Sequence, residues 1–491
     1  MDGLMKKDSF LTRGIVRFAL VATLVFSNVL AVSADEIAVR RGCRPTKAHS
    51  LKAGRRAVSL KQDPKAYQGK RRQLVVLTSF QDQAFKAADP LALWNRIFNE
   101  ENFNESPFYG SVHDYFYAQS LGKFDLQFDL FYIPLNVSRS KYASTANDDE
   151  NSKYLVSDLV DSLKTRNVDW SQYDWSGDGY VNQLLILYAG KGQNAGGGSN
   201  SIWPHQFWLS QHDNMQPLPV DDSPNALLVD SYCAVQELSS SNDYGTFGTI
   251  CHEYSHCFGF PDFYYGSMSF MKEWDLMDYG NANLGGFCPP NYSAHQRMLL
   301  GWATPTELTT EATVTGMVAT PAAGEAYLIR NDNYPNEYYI LENRQKDGWD
   351  KGLTGAGLAI FHVDYDETEW LSGVPNTKSY QRYTMVAANN YPNWYFSSGW
   401  PYPYQDNHEF TDSSSPAATL LHAKADGSLT LGKPVTNIQL EDGVISFDFM
   451  KEVSGIADQK MDRSNETLYE FGLVRIVRAS DGSIKKIIRR K

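Results

Sequence analysis

The chain has 491 residues, of which 42% are apolar and 13% aromatic, and its formal net charge is −12. That length exceeds one ordinary domain, and the apolar share is enough for a sizeable core. The acidic balance excludes nucleic acid as the expected partner.

Lys6, Lys7, Arg13 and Arg17 lead into an apolar run, Phe18 to Val32, interrupted only by Thr23, Ser27 and Asn28. Small residues around Ala34 suit a signal peptidase, so residues 1–34 read as a cleaved signal peptide. The run falls short of the ~20 residues that a membrane span requires. No later stretch is long and apolar enough to span. The mature chain is therefore expected to be secreted and to lack a transmembrane anchor. Residues 35–72 are basic and poor in large apolar side chains, and read as a pro-segment. Arg55-Arg56 and Arg71-Arg72 are candidate processing sites, the second awkwardly close to a strand.

The folded part is expected from Gln73. QLVVLTSF is a continuous apolar run and suits a buried central strand. Leu91, Leu93, Trp94, Ile97 and Phe98 predict a helix over residues 89–102. A second helix is predicted over 111–120, a strand over FDLQFDLFYIPL, and a third helix over 151–166. Asp174, Ser176, Asp178, Tyr180 and Asn182 then alternate around Gly179 as in the first half of a calcium loop. Leu185 stands where a full EF-hand has its bidentate glutamate, so Ca²⁺ and a plain Asx/Gly turn both fit. QLLILYAG is another buried strand. His205 reads as a hydrogen-bonded structural histidine, with a substrate or metal contact as the alternative. VDSYCAVQEL has edge-strand character, and an extended substrate could add to such an edge.

The stretch from Thr246 to Asp262, TFGTICHEYSHCFGFPD, organises the rest. His252 and His256 are four residues apart, so a helix stacks them on one face, where they could share a Zn²⁺ ion. Glu253 falls beside that ion without ligating it, where a general base is needed. Gly259 can end the helix in a left-handed turn, and Pro261 cannot continue it. Asp262 can then return as third ligand, leaving one position open for water, as catalytic zinc sites do.

Met277 lies in a turn-like setting fifteen residues beyond Asp262, as a methionine turn does in metzincins. Tyr279 is a candidate oxyanion donor. Cys233, Cys251, Cys257 and Cys288 are either two disulfides or buried thiols, and Cys251 and Cys257 should not pair with each other. Cys43, in the pro-segment, is a candidate latch, because a thiolate can occupy an open zinc position. An incidental cysteine is the plainer alternative. SAHQRMLLGW, 293–302, closes this domain as a helix.

From Thr304 to Lys451 short β-type runs (AYLIR, EYYILEN, GLAIFHVDY) alternate with turn residues, which predicts a mostly β domain, a sandwich. Residues 391–405 are dense in aromatics, read as packing in a long loop or as a binding surface. The tail, 452–491, ends in two short strands around Asp481-Gly482. It is either a sorting or surface-association element or a solvated arm.

With these pieces assembled, the chain resembles the immune inhibitor A-like family of secreted zinc endopeptidases. The resemblance rests on SVHDYFYAQSLGKFDL at 111–126, DWSGDGYVNQLLILYAG at 174–190, IWPH at 202–205, HEYSHCFGFPDFY at 252–264, EWDLM at 273–277 and LLGW at 299–302. YYILENRQKDGWDKGLTGAGLAIFHVDY at 338–365 extends it past the catalytic segment. It implies His252, His256 and Asp262 as zinc ligands and Glu253 as catalytic acid/base. Asn182 departs from the acidic residue that family members often carry in the calcium loop.

The expected architecture is α+β. A metzincin-like catalytic domain with a mixed sheet and active-site helix, 73–303, precedes the β-rich domain, 304–451. The expected function is a secreted zinc endopeptidase acting on protein or peptide substrates. The alternatives are an exported binding protein on a protease-like scaffold and a zinc hydrolase of a non-peptide amide.

Overall fold

Alternating burial in the first strand determines how the layers stack. In β1 (Gly69–Thr78), Leu74 and Val76 face one hydrophobic core while Val75 and Leu77 face another, as the two-residue period of a strand requires. This computed structural model describes residues 64–144, 150–320, 324–391, 394–451, 465–471, 474–479 and 484–488. The expected signal peptide, Cys43 and most of the expected pro-segment lie outside the described residues.

β1 is followed by α1 (Pro90–Asn99) and α2 (Val112–Gln119), then β2 (Phe124–Tyr132). Asp89 caps α1 by accepting from the Ala92 amide, and Ser111 and Asp114 form a reciprocal capping box on α2. Such caps satisfy amides that have no partner within the helix. α3 (Ser152–Lys164) leads to β3 (Leu184–Lys191). After it come β4 (His205–Trp208), a two-residue pair β5 (Leu218–Pro219) and β6 (Leu228–Val229), and then β7 (Ser231–Leu238). The main sheet has the order β2-β1-β3-β7-β4. Its first four strands are mutually parallel, and β4 is antiparallel to β7. Leu155, Val156, Leu159, Val160 and Leu163 of α3 cover one face. The other face is covered by α1, α2 and α4 (Phe247–Ser255).

Two sequence expectations change here. The folded body begins by Pro64, not at Gln73. Tyr67 is buried with its ring 5.3 Å from that of Phe258, its carbonyl accepts from Trp302 Nε1, and Gly69 to Arg72 pair with β2. The basic composition hid this, because Arg71 and Arg72 keep their charged heads outward while their backbone joins the ladder. β7 is an edge only in its second half. Its first half is paired on both sides, and the free edge there belongs to β4.

α5 (Ala294–Leu299) opens on a capping box between Ser293 and Gln296. A second sheet follows, built from β8 (Thr306–Glu307), β10 (Tyr327–Arg330), β11 (Glu337–Arg344), β12 (Gly357–Asp364) and β13 (Tyr383–Met385), in the order β13-β12-β11-β10-β8. α6 (Glu367–Leu371) lies between β12 and β13. A third sheet joins β9 (Ala312–Met317), β14 (Val435–Glu441) and β15 (Val444–Phe449). Tyr339, Leu341, Leu358 and Ile360 pack with these three strands. Tyr338, Ile340, Phe361 and Val363 point the other way and enter the core that also contains α4. Packing is thus continuous across residue 303. The tail strands β16 (Asn465–Phe471), β17 (Val474–Ala479) and β18 (Ile484–Ile488) form an antiparallel sheet of their own. Asp481-Gly482 between the last two lies outside the described residues. Among the described residues no helix is long and apolar enough to cross a membrane.

A buried ionic joint closes the seam between the first two sheets. Arg344 donates to Asp350 through Nε at 2.5 Å and Nη2 at 2.6 Å, and to Glu342 through Nη1 at 3.1 Å. It also reaches the carbonyls of Trp274 and Asn291. All three charged side chains are fully buried, so removing one partner strands the others without solvent. Arg344→Ala is expected to lower the unfolding free energy by about 3–5 kcal/mol, read from the urea midpoint. A change below about 1 kcal/mol would mark an ordinary solvated ion pair.

Candidate metal centre

α4 is buried along its whole length, with Phe247, Ile250, Cys251 and Tyr254 in the core beneath the sheet. Tyr254 donates to Gln73 Oε1 on β1 at 2.7 Å, fixing the helix to the central strand. Gly248 faces the turn at residues 280–286. A Cβ there would stand 1.9 Å from the carbonyl oxygen of Asn281, so only glycine permits this approach. At its end the helix tightens over His256–Phe258 and stops at Gly259, whose φ of 87° is left-handed, as the sequence predicts. The chain reverses, and Asp262 comes back beside the helix.

The three expected ligands converge. His252, His256 and Asp262 offer donor atoms that all lie within 4.8 Å of one another. Asp262 Oδ1 is 3.0 Å from His252 Nε2 and 3.6 Å from His256 Nε2. At bond lengths of about 2.0–2.2 Å, the ligands of a tetrahedral ion stand about 3.3–3.6 Å apart. The two distances bracket that range closely, and the donor set fits a small divalent ion. The imidazole rings are 5.0 Å apart and nearly perpendicular, at 88°.

Both imidazoles are oriented from behind. His252 Nδ1 donates to the carbonyl of Leu276 at 2.8 Å, and His256 Nδ1 donates to the carbonyl of Phe260 at 2.7 Å. A carbonyl oxygen can only accept, so each Nδ1 carries a proton, and each Nε2 faces the Asp262 carboxylate as the atom that would ligate, His252 Nε2 within hydrogen-bond distance of it at 3.0 Å. Glu253 is buried, with Oε2 3.9 Å from His256 Nε2. It adjoins the cluster without belonging to it. Met277 is fully buried. Its amide donates to Asp275, and its carbonyl accepts from the amide of Phe263 at 2.9 Å. The segment 275–278 therefore touches His252 through Leu276 and the residue after Asp262 through Met277.

The other candidates are placed differently. Tyr279 donates its hydroxyl to the carbonyl of Ser267 at 3.2 Å, and its ring tilts against Tyr264. In the 174–182 loop, Asp174 accepts from the amides of Gly177, Asp178 and Gly179, and Asn182 accepts from that of Trp175. Asp178 accepts from the amide of Tyr180, which also bridges Leu228, while Ser176 is exposed. These contacts close the loop as a turn. His205 is buried and fully engaged, by Trp203 O on one side and by Ser152 and Tyr232 hydroxyls on the other. The four described cysteines are free and buried. Burial pushes the thiols of Cys233, Cys251 and Cys257 well above their ordinary range and that of Cys288 up to about 12, which leaves them protonated and unreactive.

Sequence reading missed the supports. Backbone carbonyls such as those of Leu276 and Phe260 carry no side-chain signature. Asn376, which bonds to the backbone of Phe263 from 113 residues away, lies in a stretch with no motif.

Residues 95–297 match the family model described as Immune inhibitor A peptidase M6, catalytic domain. The chain is 26% identical over 281 residues to Immune inhibitor A of Bacillus thuringiensis subsp. alesti, covering 48% of this chain and 40% of that protein. It is also 26% identical over 179 residues to the Pre-pro-metalloprotease PrtV of Vibrio cholerae serotype O1 (strain ATCC 39315 / El Tor Inaba N16961), covering 31% of this chain and 19% of that protein. The chain thus spans less than half the length of either relative.

Alanine normally favours a helix over glycine by about 1 kcal/mol. Gly248→Ala should do the reverse and destabilise by about 1–3 kcal/mol through overpacking, measured by denaturant unfolding. A stabilised variant would show that α4 does not rest on the 280–286 turn.

Proposed function

We propose that this chain, whose residues 95–297 belong to the immune inhibitor A peptidase M6 family, is an exported zinc-dependent endopeptidase that hydrolyses protein substrates. The observation that carries the reading is the convergence of His252 Nε2, His256 Nε2 and Asp262 Oδ1 with the Glu253 carboxylate beside them. These three residues would hold Zn²⁺. When bound, the ion would supply Lewis acidity, lowering the pKa of water at its open position and polarising the substrate carbonyl.

The remaining work falls to the chain's own residues. Glu253 takes a proton from the attacking water and delivers it to the leaving amine nitrogen. Because the nucleophile is water, no acyl-enzyme forms. Burial of Glu253 keeps its carboxylate fixed beside the reacting atoms. An extended peptide would add to the sheet at the free edge of β4, which takes the place of the edge expected at residues 229–238. Met277 corresponds to the methionine of a metzincin turn, on the segment that holds both His252 and Phe263. A role for Tyr279 as oxyanion donor requires its hydroxyl to turn from Ser267. The name Pre-pro-metalloprotease PrtV agrees with residues 1–34 as a signal peptide and the following residues as a pro-segment. Calcium is left out of the reading, since Asp174 and Asn182 serve their own backbone.

Glu253→Gln keeps the shape of the side chain and removes the base. The variant should retain one zinc per chain and lose casein digestion by about 10²–10⁴-fold. Wild-type digestion by the purified variant would remove Glu253 from the mechanism.

A further inference from the structure

Phe263 follows Asp262 directly, and both ends of its backbone are held. Its amide donates to the carbonyl of Met277 at 2.9 Å. Its own carbonyl accepts from Asn376 Nδ2 at 2.8 Å. Asn376 lies in the second sheet's connection between α6 and β13, well past the family match that ends at residue 297.

Asn376 is fully buried, and its amide is saturated. Nδ2 donates to the carbonyls of Phe263 and Tyr383, and Oδ1 accepts from the amides of Arg382 and Tyr383 at 2.8 and 2.9 Å. Two donors and two acceptors are the whole capacity of a side-chain amide. Two carbonyls on one side and two amides on the other also settle which end is which. The Phe263 ring is held by the same connection, 4.6 Å from the ring of Tyr383 and 6.2 Å from that of Trp370. Tyr383 in turn donates to Ser293, the cap of α5.

From this geometry we infer that Asn376 is a positioning residue for the metal centre. It fixes the peptide after Asp262 so that the carboxylate returns to the two imidazoles. The second sheet is then part of the metal site, supplying through Asn376 what the 95–297 segment does not contain. The inference rests on Asp262 being a ligand. Support behind a ligand commonly matters about ten- to a hundredfold in metal affinity. Asn376→Asp keeps the shape but turns a carboxylate oxygen toward two carbonyls, which should push Phe263 away.

The test strips the full chain of metal and titrates it with Zn²⁺ against a fluorescent chelator, with thermal unfolding of each apo form in parallel. Asn343→Asp serves as control, since Asn343 is equally buried in β11 but donates to Met317 and Gly443 carbonyls. The half-saturating Zn²⁺ concentration should rise about ten- to a hundredfold in Asn376→Asp and stay at the wild-type value in Asn343→Asp. A purely structural role would lower the folded fraction without moving the half-saturation point. If Asn376→Asp does not fold, Asn376→Ala, which only deletes the bonds, is read in the same way. Wild-type half-saturation in a folded Asn376 variant, alongside a weakened Asp262→Ala, would overturn the inference. Wild-type affinity in Asp262→Ala would instead overturn the ligand assignment beneath it.

Discussion

Two hydrogen bonds from imidazole Nδ1 atoms to main-chain carbonyls are the constraint on which the centre depends. They orient both rings and aim both Nε2 atoms at the Asp262 carboxylate. A helix alone puts His252 and His256 on the same face but leaves each ring free to rotate about χ1 and χ2. The acceptors, Leu276 O and Phe260 O, must therefore be held as firmly as the helix. Leu276 sits in a turn tied by Asp275 and Asp278 to backbone amides. Phe260 sits just past the left-handed turn at Gly259. Much of the fold around α4 serves to keep those two carbonyls in place.

The layers around the helix have the same dependence. The face of the main sheet that buries α4 also takes up side chains from the second sheet, and Arg344 spans the seam with its guanidinium on the carbonyls of Trp274 and Asn291. A buried guanidinium is costly to desolvate, and it is stable here because Asp350 and Glu342 accept from three sides. The result is a packed backing for a cluster whose three side chains come from one helix and the turn after it. Proteins place reactive groups well when the shell behind them is packed and hydrogen-bonded.

Most of this was legible where local chemistry decides the structure. The apolar run at Leu74–Thr78 reads as a buried strand because burial on both faces removes alternation. The H-E-x-x-H spacing and Gly259 bring His252, His256 and Asp262 together because helix geometry and the left-handed turn are local rules. What stayed hidden was non-local. The sequence 229–238 looks like an edge throughout, whereas β4 returns antiparallel beside its first half. Gly69–Arg72 looks like a solvated pro-segment because its charges point outward while its backbone pairs with β2. Asn376 could not be read at all, since a buried asparagine that braces a distant carbonyl has the composition of any polar turn. The alternation of oxygens at 174–182 fits half a calcium loop or a plain turn, and Asp174 accepts from amides of its own loop.

The central claim is that one metal ion is held by His252, His256 and Asp262. Anomalous diffraction from crystals of the zinc-loaded protein, recorded on both sides of the zinc edge, tests it most directly. The account predicts a single strong peak about 2.0–2.2 Å from both Nε2 atoms and one Asp262 carboxylate oxygen. A zinc peak held by other residues, or full zinc content with no peak at this cluster, would contradict it.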